Sequence, residues 1–316
     1  MDKNFRIVFM GTPGFAVSAL DALVKSGANI VAVVTVPDKP AGRGLNLKES
    51  EVKQYAVANQ LRVLQPEKLK DPAFIEAMRE LQPDLAVVVA FRMLPEVIWS
   101  MPRKGTINLH ASLLPQYRGA APINWAVING ETKTGVTTFF IEKEIDTGKV
   151  IAKSEVIITA DDTAGTVHDK LAKVGSELLV ETVKSIISDS YVPIPQEQLI
   201  AGNLKPAPKI FRDDCRIDWN KPVQNTFNFI RGLSPYPGAW TLIKTGDEQK
   251  TLKILECKPV FSGKSKSKIW TENGILNIPC SDGHIAVEKL QMEGKKAMKS
   301  DEFLRGIRDL EIYSIE

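Results

Sequence analysis

Apolar positions in the first half of the chain recur in two forms. Continuous runs rich in Val and Ile occur at "FRIVFMG" (5–11) and "NIVAVVTV" (29–36), and "LAVVVAF" (85–91) and "GTINLH" (105–110) continue the buried-strand theme. Runs that are apolar at successive positions, rather than at alternate ones, predict strands buried on both faces. Between the first two, "GFAVSALDALVKSG" puts Phe15, Leu20, Leu23 and Val24 at helical spacing, with Gly27 as the stop. Segments 49–60, 72–80 and 120–129 also read as helices. Strands alternating with helices predict an α/β fold around a mostly parallel sheet. "GVTTFFI" and "KVIAKSEV" add strands over 135–156, and a long helix is predicted from Asp162 to Ile187, with Thr159, Asp161 and Asp162 offering capping oxygens.

After residue 188 the pattern changes. "SDSYVPIPQEQLIAGNLKPAPK" (188–209) carries four prolines and no apolar period, which predicts a linker. "PVQNTFNFIRGL" then reads as a helix. Short alternating runs follow at 239–244, 251–260, 267–279 and 283–290, punctuated by "TGDE", "ENG" and "SDG". That is the signature of a small, mainly β domain of barrel type. The expected organisation is a first domain over 1–188, a linker over 189–209 and a second domain over 210–316.

A length of 316 residues with 43% hydrophobic and 25% charged positions agrees with one large or two ordinary globular domains. The three cysteines, Cys215, Cys257 and Cys280, are far apart and form no C-x-x-C. A disulfide framework and a zinc site are therefore not expected, and a reducing, cytoplasmic setting is. No leader pattern opens the chain, and no apolar run reaches the roughly 18 residues of a membrane span. The net charge is +3, and from Lys205 onward 19 Lys+Arg stand against 15 Asp+Glu. An excess of that size more often marks a solvated basic face than a polyanionic partner.

Two places carry candidate chemistry. The first strand-to-helix turn, "GTPGFA", lacks the G-x-G-x-x-G of a dinucleotide site, because Pro13 takes the second glycine position and removes a backbone donor. NAD is not expected; a tight turn with Pro opening a helix is the plainer reading. The second place is "GTINLHASLLPQYRGAAPINW" (105–125). Asn108 and His110 are two apart on a strand and so share a face. A strand-end histidine is commonly a structural hydrogen-bonder. Here it ends a strand of an apparently parallel sheet, where α/β folds place ligands, and it has an amide beside it. Downstream, "EIDTG" puts Asp146 after another apolar strand. Asn, His and Asp together offer an oxyanion donor, a proton carrier and a carboxylate to orient it. An Asp before Thr-Gly is also a common turn residue, and the sequence alone does not bring it to His110.

With these residues in view, "INLHASLLPQYRGAAPINWAVINGE", "TGVT" and "IDTG" together resemble the formyltetrahydrofolate-dependent formyltransferases. "GTPGFA", "PDKPAGRG", "VVVAF" and "LPEVI" resemble the N-terminal half of the branch that acts on methionyl-tRNA, and "RIDWNKP", "IRGLSPYPGAW" and "LQMEGKKAM" its C-terminal half. The resemblance implies a Rossmann-like catalytic domain, a linker and an OB-like barrel. It implies 10-formyltetrahydrofolate as formyl donor, with no metal and no NAD, and initiator methionyl-tRNA as acceptor for a monomeric enzyme. The family's catalytic set falls on Asn108, His110 and Asp146. Its folate-binding stretch falls on Ser112, Leu113, Leu114 and Pro115, with Phe91, Arg92, Met93, Leu94 and the 140–145 loop as further pocket candidates. Arg92 stands where the family often has a small residue, and Glu144 where glycine is common. The "PDKPAGRGLNLK" loop, otherwise a flexible surface segment, would place Arg43 and Lys39 on the tRNA acceptor end. "GKSKSK" (263–268) and "GKKAMK" (294–299) would meet phosphates or simply turn in solvent. A formyltransferase for a nucleotide sugar or glycinamide ribonucleotide would share the catalytic set but not the C-terminal signatures.

Overall fold

The computed structural model describes residues 1–41, 46–245, 248–262, 268–307 and 313–315. They form two compact units. The first comprises Met1–Gly119, Lys133–Ile157 and His168–Pro206; the second comprises Ala120–Thr132, Ile158–Val167 and Ala207–Glu316.

The elements up to the long helix are β1 (Arg6–Gly11), α1 (Gly14–Lys25), β2 (Asn29–Val34), β3 (Lys39–Ala41), β4 (Asn46–Lys48), α2 (Glu51–Ala58), β5 (Val63–Leu64) and α3 (Pro72–Glu80). They continue with β6 (Leu85–Val89), α4 (Glu96–Trp99), β7 (Thr106–His110), α5 (Pro122–Ile128), β8 (Lys133–Phe140), β9 (Val150–Ile157) and α6 (Ala164–Ile187). The sheet order is β5-β2-β1-β6-β7-β8-β9. The strands from β5 through β7 pair in parallel, and β8 and β9 pair antiparallel at one side. The chain leaves β1 toward β2 and β5, then returns to β6 on the other side of β1. This is a Rossmann-like order with its switch point between β1 and β6. All five residues of β6 are buried, as a strand covered on both faces requires.

Local chemistry sets the helix ends. Ser50 and Asp71 cap α2 and α3 through their side chains, and Pro72 and Pro122 sit in first turns. Pro13 takes the N-cap of α1. At Gly11 an added Cβ would lie 2.6 Å from the Ala16 Cβ and 3.0 Å from the Val89 carbonyl, so strand, helix and neighbouring strand meet where only glycine fits. The long helix starts later than the sequence suggests. Its first amides are served by Thr163, whose Oγ1 accepts from Thr166 N while Thr166 Oγ1 accepts from Thr163 N. Asp162 turns back to Thr159 instead, accepting from its amide at 2.7 Å and its hydroxyl at 2.9 Å.

The second unit continues with α7 (Val223–Leu233), β10 (Ala239–Thr245), β11 (Glu248–Phe261), β12 (Trp270–Glu272), β13 (Ile275–Pro279), β14 (Gly283–Met292), β15 (Met298–Lys299), α8 (Ser300–Arg305) and β16 (Tyr313–Ile315). The strands form one antiparallel sheet in the order β12-β13-β14-β11-β10-β16, with β15 on β14. The 14-residue β11 serves β10 with its first half and β14 with the rest, and its register shifts around Glu256. Such bulges bend a strand, and the sheet curls as a half-barrel around Ile230, Leu233, Leu252, Ile285 and Val287. Within the predicted run at 267–279, residues 270–279 are a hairpin rather than one strand. Asn273 and Gly274, at φ 51° and 75°, make its turn.

Helix α5 belongs to this unit and crosses α7 closely, with Asn124 Nδ2 donating to the Gly232 carbonyl at 2.8 Å. A Cβ on Gly232 would lie 2.8 Å from the Ile128 nitrogen and 2.5 Å from its Cγ1. Gly232→Ala is expected to destabilise the unit by about 1–3 kcal/mol, the usual cost of overpacking, read as a lower urea midpoint.

Candidate active site

Strand β7 places Asn108 and His110 on one face, while Ile107 before them and Leu109 between them are buried in the sheet. His110 is buried, and its ring meets Phe139 edge-on at 6.4 Å. Its Nε2 lies 2.9 Å from the Tyr117 carbonyl. A carbonyl only accepts, so Nε2 carries the proton and donates. Nδ1 faces Asp146 Oδ2 at 3.9 Å.

The sequence puts Asp146 at a strand end. The structure ends β8 at Phe140, and because β8 runs antiparallel to β7, its exit lies beside Thr106, where Ile141 N donates to the Thr106 carbonyl at 2.8 Å. The connection 141–149 must return along β7 for Asp146 to reach His110. Asp146 adopts φ +55° at the turn, so the left-handed position falls on Asp146 and not on Glu144. A Cβ on Gly148 would lie 1.7 Å from the Phe140 carbonyl, so the loop packs on β8 without room for a side chain there. The distance to His110 exceeds a hydrogen bond, and Oδ2 accepts instead from Gly119 N at 3.0 Å.

Asn108 is half-buried, and its Oδ1 has no hydrogen-bond partner among the described residues. Unmatched buried acceptors are uncommon in folded proteins, and this one lies at a strand end beside a buried histidine.

The "SLLP" stretch follows His110 directly, but its side chains are largely spent on packing. Ser112 Oγ donates to the Gln116 carbonyl at 2.6 Å, and Leu114 is fully buried against Phe139 and Val150. Thr137 Oγ1 donates to the Ser112 carbonyl at 2.7 Å and accepts from Leu114 N at 3.1 Å. Lys153 Nζ donates to the Leu114 carbonyl, and burial lowers its pKa below the ordinary lysine value. Pro115 is buried; Leu113 is half-buried against Gly135. After β6, Leu94 is buried, Phe91 packs on the same core, and Met93 is 72% exposed. Arg92 is tied down, donating to the Pro66 and Glu67 carbonyls with its guanidinium 5.6 Å from the Phe91 ring. Burial lowers its pKa as well. Lys39 is exposed on β3, while Arg43 lies outside the described residues, as do residues 263–267.

Comparison with known proteins follows the geometry. The family described as "Formyl transferase" matches residues 5–183, and "Formyl transferase, C-terminal domain" matches residues 209–308. The chain belongs to the formyl transferase family. It is 54% identical over 311 residues to the methionyl-tRNA formyltransferase of Bacteroides thetaiotaomicron, covering 97% of each chain. Its fold resembles WlaRD, a sugar 3N-formyl transferase solved with dTDP and 5-N-formyl-THF, at a TM-score of 0.63 and 19% identity over 92% of this chain and 99% of that one. It also resembles HypX from Aquifex aeolicus in complex with tetrahydrofolic acid, at a TM-score of 0.64 and 18% identity over 95% of this chain. The present chain spans 46% of the HypX chain's length.

In this formyl transferase the second unit carries a feature the sequence reading did not single out. A cavity of about 630 Å³ opens beside "KIFR", lined by Lys209, Phe211, Arg212, Tyr236, Trp240 and Lys253. Arg212 and Arg216 lie 6.0 and 5.9 Å from the Trp240 ring centre, and Lys209 Nζ lies 5.1 Å from that of Phe211, which is 60% exposed. Aromatic residues interleaved with basic ones were the signal available in the sequence.

Proposed function

We propose that the chain transfers the formyl group of 10-formyltetrahydrofolate to the α-amino group of initiator methionyl-tRNA, producing N-formylmethionyl-tRNA for translation initiation. The observation that carries the acceptor is the near-full-length identity to methionyl-tRNA formyltransferases in both halves of the chain. The chemistry is supported by the arrangement of Asn108, His110 and Asp146. In this reading the first unit performs the transfer, the second holds tRNA, and the acting species is a cytoplasmic monomer.

The residues present fit a folate cosubstrate. The unmatched Asn108 Oδ1, the half-buried Leu113 and the exposed Met93 offer one polar anchor and apolar surface. When bound, the folate supplies an activated formyl carbon. A free α-amine has a pKa of about 7.7–8.0, and an ester neighbour lowers it, so the attacking lone pair needs no strong base. The barrier lies in the charge that develops on the formyl oxygen and in the proton that must leave the amine. The amide of Asn108 can donate to that oxygen. His110 has already committed its Nε2 proton to Tyr117, so Nδ1 is the atom that takes up the released proton. Asp146 stabilises the positive charge this creates, and Nδ1 then returns the proton to the nitrogen left without its formyl group. Ser112 to Pro115 contribute through their backbone, and Arg92 holds the 90–95 loop in shape rather than touching the reacting atoms.

A formylation assay with 10-formyltetrahydrofolate and methionyl-tRNA, run beside free methionine, tests the function. Transfer to free methionine at equal efficiency would overturn the tRNA assignment. For the second unit, stacking of a base on an exposed aromatic contributes roughly 1–3 kcal/mol. Phe211→Ala is therefore expected to raise KM for tRNA at least about fivefold while leaving KM for folate unchanged. Lys39 is read as a phosphate contact, which weakens as salt rises.

A further inference from the structure

Gln196 sits in the proline-rich stretch whose composition predicts a linker, yet its side chain is fully buried. That stretch lies against the loops of the site. Val150 and Ile194 exchange backbone hydrogen bonds at 2.9 and 2.8 Å, and Tyr117 N donates to the Lys205 carbonyl at 2.7 Å. Between these anchors the amide of Gln196 makes four contacts. Its Oε1 accepts from Arg118 Nε at 3.0 Å and Nη2 at 2.7 Å. Its Nε2 donates to the Asp146 carbonyl at 2.9 Å and the Gly148 carbonyl at 2.8 Å. Arginine only donates and carbonyls only accept, so the amide has one possible orientation and its full capacity is used.

We propose that Gln196 is a positioning residue for formyl transfer, holding the Asp146 turn so that its carboxylate faces Nδ1 of His110. The proposal rests on the reading of His110 and Asp146 above. Asp146 occupies a left-handed backbone conformation, which Asp and Asn adopt more readily than most residues and which the contacts around the turn fix here. The two carbonyls gripped by Nε2 flank that turn. Its carboxylate is held from the other side by Gly119 N, the residue after Arg118. Arg118, Gln196, the Asp146 turn and Gly119 thus close a circuit. Opening it at Gln196 lets the carboxylate move relative to His110. Displacement of a reacting group by about 1 Å can cost roughly 100-fold in rate.

Gln196→Glu tests this. The substitution preserves size and the Arg118 partner but removes both donors to the turn. The expected result is a kcat lowered roughly 100-fold, with KM for folate and tRNA little changed and a lower thermal midpoint, because two buried carbonyls lose their donor. Gln196→Met, which removes the donors without adding charge, should lose kcat equally. In an Asp146→Asn background, followed by single-turnover measurement, Gln196→Glu should cost nothing further, because the two residues act as one unit. Full turnover in both Gln196 variants, or losses that multiply in the double variant, would overturn the proposal. An Asp146→Asn enzyme that keeps full turnover would instead overturn the underlying site reading and this proposal with it. That outcome is distinct from active Gln196 variants beside an inactive Asp146→Asn enzyme.

Discussion

Asp146→Asn is expected to lower kcat by about 10³-fold while leaving folate binding nearly intact. The substitution changes charge and little else. Asn has the shape of Asp, tolerates the positive φ at this turn, and still presents an oxygen to Gly119 N. The main-chain carbonyl held by Gln196 is untouched. What disappears is a negative charge 3.9 Å from His110 Nδ1 in a site from which both side chains largely exclude water. A full unit charge at that distance and an effective dielectric of 20 interacts by about 4 kcal/mol. In the proposed mechanism that energy acts on the state in which Nδ1 holds the proton released by the amine, so it falls on kcat. Rapid-quench formylation would give the rate, and calorimetric titration with folate would give the affinity. Equal losses in both would mean that Asp146 holds the fold of the 141–149 loop rather than stabilising charge.

The parts of this molecule that were legible in its sequence are those decided by short-range pattern. Central strands such as β6 announce themselves because burial on both faces forces apolar residues at every position. The shared face of Asn108 and His110 follows from the period of a strand. The "ENG" turn needs left-handed residues and contains them. Contacts made across the chain were not legible. Nothing local to "EIDTG" says that the loop doubles back along β7, because that path follows from β8 running antiparallel to its neighbour. The proline content of 188–209 predicts a linker, and its carbonyls, amides and Gln196 are committed to loops some 44 to 89 residues earlier in sequence. Helix α5 reads correctly as a helix, but amphipathic spacing does not name the partner. Its contact with α7 depends on Gly232, which looks unremarkable in "IRGLSP". The departures at Arg92 and Glu144 have local accommodations: Arg92 finds two carbonyls, and the turn takes its left-handed residue at Asp146.

Asn108→Leu should move stability and activity in opposite directions. Leu has the same branching and number of heavy atoms as Asn, so at this half-buried position the change leaves no cavity. In the free protein the substitution removes a buried acceptor that has no partner among the described residues, and such an atom costs on the order of 1 kcal/mol or more. The thermal midpoint is therefore expected to rise. The same change deletes Nδ2, the donor proposed for the formyl oxygen, and Nε2 of His110 is engaged by the Tyr117 carbonyl. Loss of one such donor typically lowers kcat by roughly 10²–10³-fold, equivalent to about 2.7–4 kcal/mol of barrier. A structural asparagine would behave differently, because removing a satisfied amide lowers stability and activity together. A variant that melts higher and turns over slowly would mark Asn108 as an amide whose Oδ1 goes unpaired in the free enzyme while its Nδ2 serves the formyl oxygen in the proposed reaction.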